Sequence, residues 1–150
     1  PLPAALATQF PHLSSFDSYT LLDDVVDIKS LLKQPLWIAK ANNKQILSQI
    51  QFAPLIDYLY TLGPRYANEF ATLGAVVNKD NISIALWSPT ASAVHLQLFD
   101  ANKKLIATEA MQEDNQTGVW QKNLASDYIY HYYLLTGLLL QCYQVFADTL

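Results

Sequence analysis

Asn81-Ile82-Ser83-Ile84-Ala85-Leu86-Trp87-Ser88-Pro89-Thr90-Ala91-Ser92-Ala93-Val94-His95-Leu96-Gln97-Leu98-Phe99 decides how the chain folds. Ile82, Ile84 and Leu86 recur at every second position. So do Val94, Leu96 and Leu98, with His95 and Gln97 between them. A period of two places alternate side chains on one face, the signature of a half-buried strand. Residues 88–92, with Pro89 among small polar neighbours, read as the connection between two such strands.

The pattern continues toward the C-terminus. Leu105 and Ala107 oppose Ile106 and Thr108, and Val119-Trp120 begin another short strand. Tyr128, Tyr130, Tyr132 and Leu134 alternate with Ile129, His131, Tyr133 and Leu135. Turn signals fall at 78–81, 88–92, 100–103, 114–118 and at Gly137. Short strands at this regular spacing predict an antiparallel β-sandwich of immunoglobulin type.

Toward the N-terminus the texture changes. Asp23-Asp24 read as a helix N-cap pair, followed by Val25, Ile28, Leu31 and Leu32 at helical spacing, with Pro35 beyond. Segments 36–41 and 45–52 around Asn42-Asn43 predict a β-hairpin. Pro54 opens a second helix carrying Leu55, Tyr58, Leu59 and Leu62, which Gly63-Pro64 ends. With a linker over 65–70, the fold class is mainly β. A small mixed α+β domain (1–70) precedes an immunoglobulin-like sandwich (71–150).

Composition narrows the functions. Charged residues make up 15% of the 150, against about a quarter in ordinary domains, which suggests surface covered by another body. A net charge of −4 without a basic patch argues against nucleic acid as a partner. Cys142 is the sole cysteine, so neither an internal disulfide nor a Cys-based metal site is expected. In its apolar run it reads as a small core residue. The apolar run 134–140 is far short of the ~20 residues that cross a bilayer, so no membrane-spanning segment is expected. Pro1-Leu2-Pro3 has no basic stretch leading into an apolar one, and no signal peptide is read there.

A resemblance now enters. Leu73-Gly74-Ala75, Trp87-Ser88-Pro89-Thr90-Ala91, Val94-His95-Leu96-Gln97-Leu98, Gly118-Val119-Trp120 and Tyr130-His131-Tyr132 follow a known order. Together they resemble the carbohydrate-binding module family 48 domain of pullulanase-type enzymes in glycoside hydrolase family 13. Phe10-Pro11-His12-Leu13 and the Asp- and Leu-rich helix after it resemble the small domain before that module in bacterial pullulanases. The resemblance implies a non-catalytic accessory region of an α-1,6-glucan debranching hydrolase, with the parent's own catalytic barrel as partner. It further implies a bacterial protein that is secreted or on the cell surface. The family's Asp nucleophile and Glu acid/base belong to a barrel of ~250 residues, and none of its catalytic motifs is found here. The catalytic set, the metal set and the cofactor set are therefore empty.

The alternative function is an independent α-glucan-binding module. Its candidate rings are Trp87, Trp120 and Tyr133, because sugars stack their apolar faces on exposed aromatic side chains. The competing reading has these rings plugging the sandwich. Starch-binding members of the family carry a Trp after the V-x-L-x-L strand. Here Phe99-Asp100-Ala101-Asn102-Lys103-Lys104 stand instead, and scaffolding fits better. Asp23, Asp24 and Asp27 read as helix-capping groups and not as an acid/base cluster. His12, His95 and His131 lack ligand spacing.

Overall fold

The alternating stretches become strands, and the strands form two facing sheets. The computed structural model describes residues 3–15, 18, 27–39, 46–61, 72–139 and 142–149. One sheet has β3 (Gly74–Val77), β4 (Asn81–Trp87), β8 (Val119–Ala125) and β7 (Gln112–Asp114), in that order. The other runs β10 (Cys142–Thr149), β9 (Tyr132–Leu139), β5 (Ala93–Phe99) and β6 (Leu105–Ala110). All pairings are antiparallel.

Period two sets which side chains face inward. Ile82 and Ile84 lie opposite Leu124 and Lys122, and Leu86 opposite Trp120. Across the gap stand Val94, Leu96 and Leu98 of β5 with Tyr133 and Leu135 of β9. These apolar residues of both sheets form one buried cluster, which defines a sandwich. Met111, between β6 and β7, carries the chain from one sheet to the other and is buried in the same cluster. The antiparallel sandwich predicted from the sequence is the observed immunoglobulin-like fold. Nearby, Lys122 reaches Glu109 of the opposing sheet at 3.0 Å.

The register gives the sandwich two ends. Turns 88–92 and 115–118 share one end, where Val119 pairs with Trp87. The connections 78–80, 100–104 and 126–131 share the other, where Tyr132 pairs with Phe99.

Two strand expectations need correction. Gly137 is not a turn: it lies inside β9, paired with Val94 on one side and Gln144 on the other. As an inner strand with neighbours on both sides, β9 reads as a nearly continuous apolar run, which hides its true end. The second concerns Tyr128 to His131. The 3₁₀ turn Ser126–Tyr128 replaces the start of the expected strand, and β9 begins at Tyr132. An extended strand would turn Tyr128 and Ile129 to opposite faces. The turn lets both pack on the core. Tyr130 then adopts φ +70° and is 85% exposed.

Before the sandwich lie α1 (Ala4–Gln9), a 3₁₀ turn (Pro11–Leu13), α2 (Ile28–Leu31) and α3 (Ala53–Thr61). The predicted hairpin is present as β1 (Trp37–Ala39) paired with β2 (Ile46–Gln49). Its Asn42-Asn43 turn lies outside the described residues. So do the Asp23-Asp24 cap, the linker and the domain boundary at 70/71. The N-cap seen on α2 is Asp27, which accepts hydrogen bonds from the Lys29 N–H (3.1 Å) and the Ser30 hydroxyl (2.6 Å). The Ser30 hydroxyl, above all, holds the Asp27 carboxyl below its ordinary value.

The predicted face of α3 is also corrected. Leu55 and Tyr58 are exposed, and Leu62 lies outside the described residues. Tyr60 is the residue that the helix buries, at 1% exposure. Ile56, half-buried, stands one turn before it on the same face, and the predicted Leu59 is half-buried beside it.

Candidate functional site

The three candidate rings occupy different environments. Trp87 closes β4 on the outer side of its sheet, half-buried against Ala85 and Val119. Its indole N–H donates to the Thr117 carbonyl at 2.9 Å. Trp120 points inward from β8 at 6% exposure, and its indole N–H donates to the Ser88 carbonyl at 3.0 Å. Tyr133 is 7% exposed in the core, opposite Leu98. Burial leaves neither Trp120 nor Tyr133 a free face for a sugar. The structure does not bring the three rings into one groove.

Both tryptophans instead fasten the same two turns together. Trp120 bonds back to 88–92, Trp87 bonds across to 115–118, and the Ser88 N–H donates to the Gly118 carbonyl at 3.0 Å. Gly118 has φ +71°, the left-handed region that a side chain disfavours. A Cβ there would stand 2.6 Å from Pro89 Cβ and 3.1 Å from Tyr60 Cε1. The two turns are thus tightly seated against each other, and Tyr60 of α3 sits on them.

Two lysines from α2 and its C-terminal turn reach the same end. Lys29 Nζ donates to the carbonyls of Asn115 (2.8 Å) and Gln116 (3.1 Å), and lies 4.4 Å from the centroid of the Tyr60 ring. Lys33 Nζ pairs with Glu113 of β7 and stands 5.8 Å from the Trp120 ring centroid. Both ring distances suit cation–π attraction. No local pattern points to these contacts, since Lys29 and Lys33 lie 80 or more positions from the groups they bind.

Burial pushes the Tyr60 hydroxyl up from its ordinary value, and the charges of Glu113 and Asp27 add to the shift. The folded state therefore holds the phenolic proton more tightly than the unfolded chain. Stability from this term is intact below about pH 10 and falls as pH rises from there through the folded value. Replacing Tyr60 with phenylalanine is expected to flatten that alkaline loss relative to the parent chain, as measured by urea midpoints between pH 9 and 11. Equal slopes would contradict the assignment.

No arrangement for bond-breaking appears among the described residues. Glu113 and Glu109 are each engaged by a lysine, and among the described residues no group of three His, Cys, Asp or Glu could hold a metal ion. His12 lies in the N-terminal 3₁₀ turn, His95 faces out from β5, and His131 meets Tyr128 edge to face at 5.6 Å. A shallow depression of about 380 Å³ lies on the outer face of the β3-β4-β8-β7 sheet, lined by Val76, Ser83, Ala85, Val119 and Gln121 among others. No aromatic ring lines it.

Residues 72–135 match the family model for carbohydrate-binding module 48, the isoamylase N-terminal domain. Over those residues the chain is similar to a family 48 module. The match begins just before β3 and ends within β9, so it takes in strands of both sheets but not β10. The chain beyond the module is also similar to known proteins. A pullulanase of Klebsiella pneumoniae is 30% identical over 124 residues, which cover 81% of this chain and 11% of that protein. Pullulanase 1, chloroplastic, of Arabidopsis thaliana is 28% identical over 137 residues, 89% of this chain and 13% of that protein. The structure of Klebsiella pneumoniae pullulanase complexed with maltotriose superposes with a TM-score of 0.79 at 26% identity. That superposition covers 97% of this chain and 14% of the pullulanase. The chain therefore spans 11–14% of the length of these relatives.

Proposed function

We propose that this chain is the non-catalytic accessory region of a pullulanase-type enzyme that hydrolyses α-1,6-glucosidic bonds. In that role it packs beside a catalytic barrel of the same parent chain. The observation that carries the reading is likeness to pullulanases on both sides of the module boundary, over a small share of their length. A charged-residue content of 15% fits a region covered by a larger body. The division into 1–70 and 71–150 and a parent outside a bacterial cell or on its surface belong to the same proposal. Fractionation with an antibody to this region tests the location.

The module name alone would favour a second reading, an independent α-glucan-binding module using Trp87, Trp120 and Tyr133. Burial of Trp120 and Tyr133 weighs against it. The accessory reading is tested by deleting the matched region from the Klebsiella pneumoniae pullulanase and adding this chain in trans. Partial recovery of the heat stability or pullulan hydrolysis lost on deletion is expected. No recovery from a folded chain would count against the reading.

A further inference from the structure

The geometry points to a clamp: we infer that α2 with its C-terminal turn (27–33) and α3 hold the module end as a peg with two fingers, making them one rigid body with it. Tyr60 is the peg. It is among the largest fully buried side chains of the molecule, yet it comes from a helix that buries no other residue. Its seat is built for it, because Gly118 has no Cβ at the point where one would press on Pro89 and Tyr60. Lys29 and Lys33 are the fingers. They stand four positions apart, on one face of a helical turn, and grip different groups of the same β7–β8 hairpin. Lys29 takes two main-chain carbonyls of its tip, and Lys33 takes the Glu113 carboxylate.

The grips are complementary in kind. A carbonyl pair and a ring around one ammonium fix Lys29 by direction, and the carboxylate fixes Lys33 by charge. Leu32 between them is buried, so the turn is held by packing as well as by its ends. One superposition covering 97% of the chain on the Klebsiella pneumoniae pullulanase supports a single arrangement of both sides. The consequence is mechanical: whatever the N-terminal segment touches is held at a fixed orientation to the module. This clamp stands whether or not the debranching reading does.

The test replaces Lys29 and Lys33 together by methionine in the full chain, which keeps the apolar stems. Hydrogen exchange is then followed residue by residue. Amides at 28–31 and 55–61 are expected to exchange at least tenfold faster, with those of β4, β5 and β8 unchanged. Glu113→Gln, nearly the same size, is expected to give the same pattern more weakly. No acceleration anywhere, or equal acceleration in both parts, would overturn the clamp.

Discussion

Replacing Tyr60 with alanine is expected to destabilise the chain by about 3 kcal/mol or more, in the range for truncating a buried aromatic. The ring is 1% exposed, meets the Gly118 turn and carries the Lys29 ammonium at 4.4 Å from its centroid. Alanine would leave a cavity walled by a rigid turn, which cannot collapse to fill it. It would also take the cation–π partner from Lys29. Against a total stability of roughly 5–15 kcal/mol, this is a large fraction. Urea denaturation read by tryptophan fluorescence checks it. A loss under about 1 kcal/mol would mean that Tyr60 does not bear on the module as described.

Gly118→Ala carries the second large effect. The left-handed backbone costs an L-residue about 1–2 kcal/mol, and overpacking typically adds about 1–3 kcal/mol. Here the nearest obstacles are Pro89 Cβ at 2.6 Å and its Cα at 3.0 Å, so main chain must move. A total loss of about 2–5 kcal/mol is expected from these terms. The two substitutions touch, so they should not add. In the Tyr60→Ala background the alanine at 118 loses its tight contact with the Tyr60 ring, and its cost should drop by roughly 0.5 kcal/mol or more. Additive behaviour would separate the two sites.

The sandwich was legible because its information is local. Ile82-Ile84-Leu86 and Val94-Leu96-Leu98 state a period, and a period states a face. The order of Trp87-Ser88-Pro89 and Tyr130-His131-Tyr132 then carried the resemblance to family 48 modules. Legibility failed where the cause is tertiary. Gly137 looked like a turn because nothing in its neighbours shows that β9 has strands on both sides. Tyr130 looked like a strand residue because alternation cannot reveal that Tyr128 and Ile129 both turn to the core.

The site shows the same limit. Trp87 and Trp120 stand out in the sequence as candidate sugar-stacking rings, and the structure places both beside the 88–92 and 115–118 turns, fastening the two together. A sequence gives a ring's identity but not its exposure. Tyr60 was passed over in favour of Leu55 and Tyr58 on the same helix. Its importance comes from residues 58 positions away, and no local pattern carries that.

The most direct test of the accessory reading is calorimetric titration of the folded chain with maltoheptaose and with branched limit dextrin, alongside tryptophan fluorescence. The account predicts no saturable heat and no change in emission, because Trp120 and Tyr133 have no face to offer. Saturable binding with a shift in tryptophan emission would contradict it and would make this module a glucan-binding one.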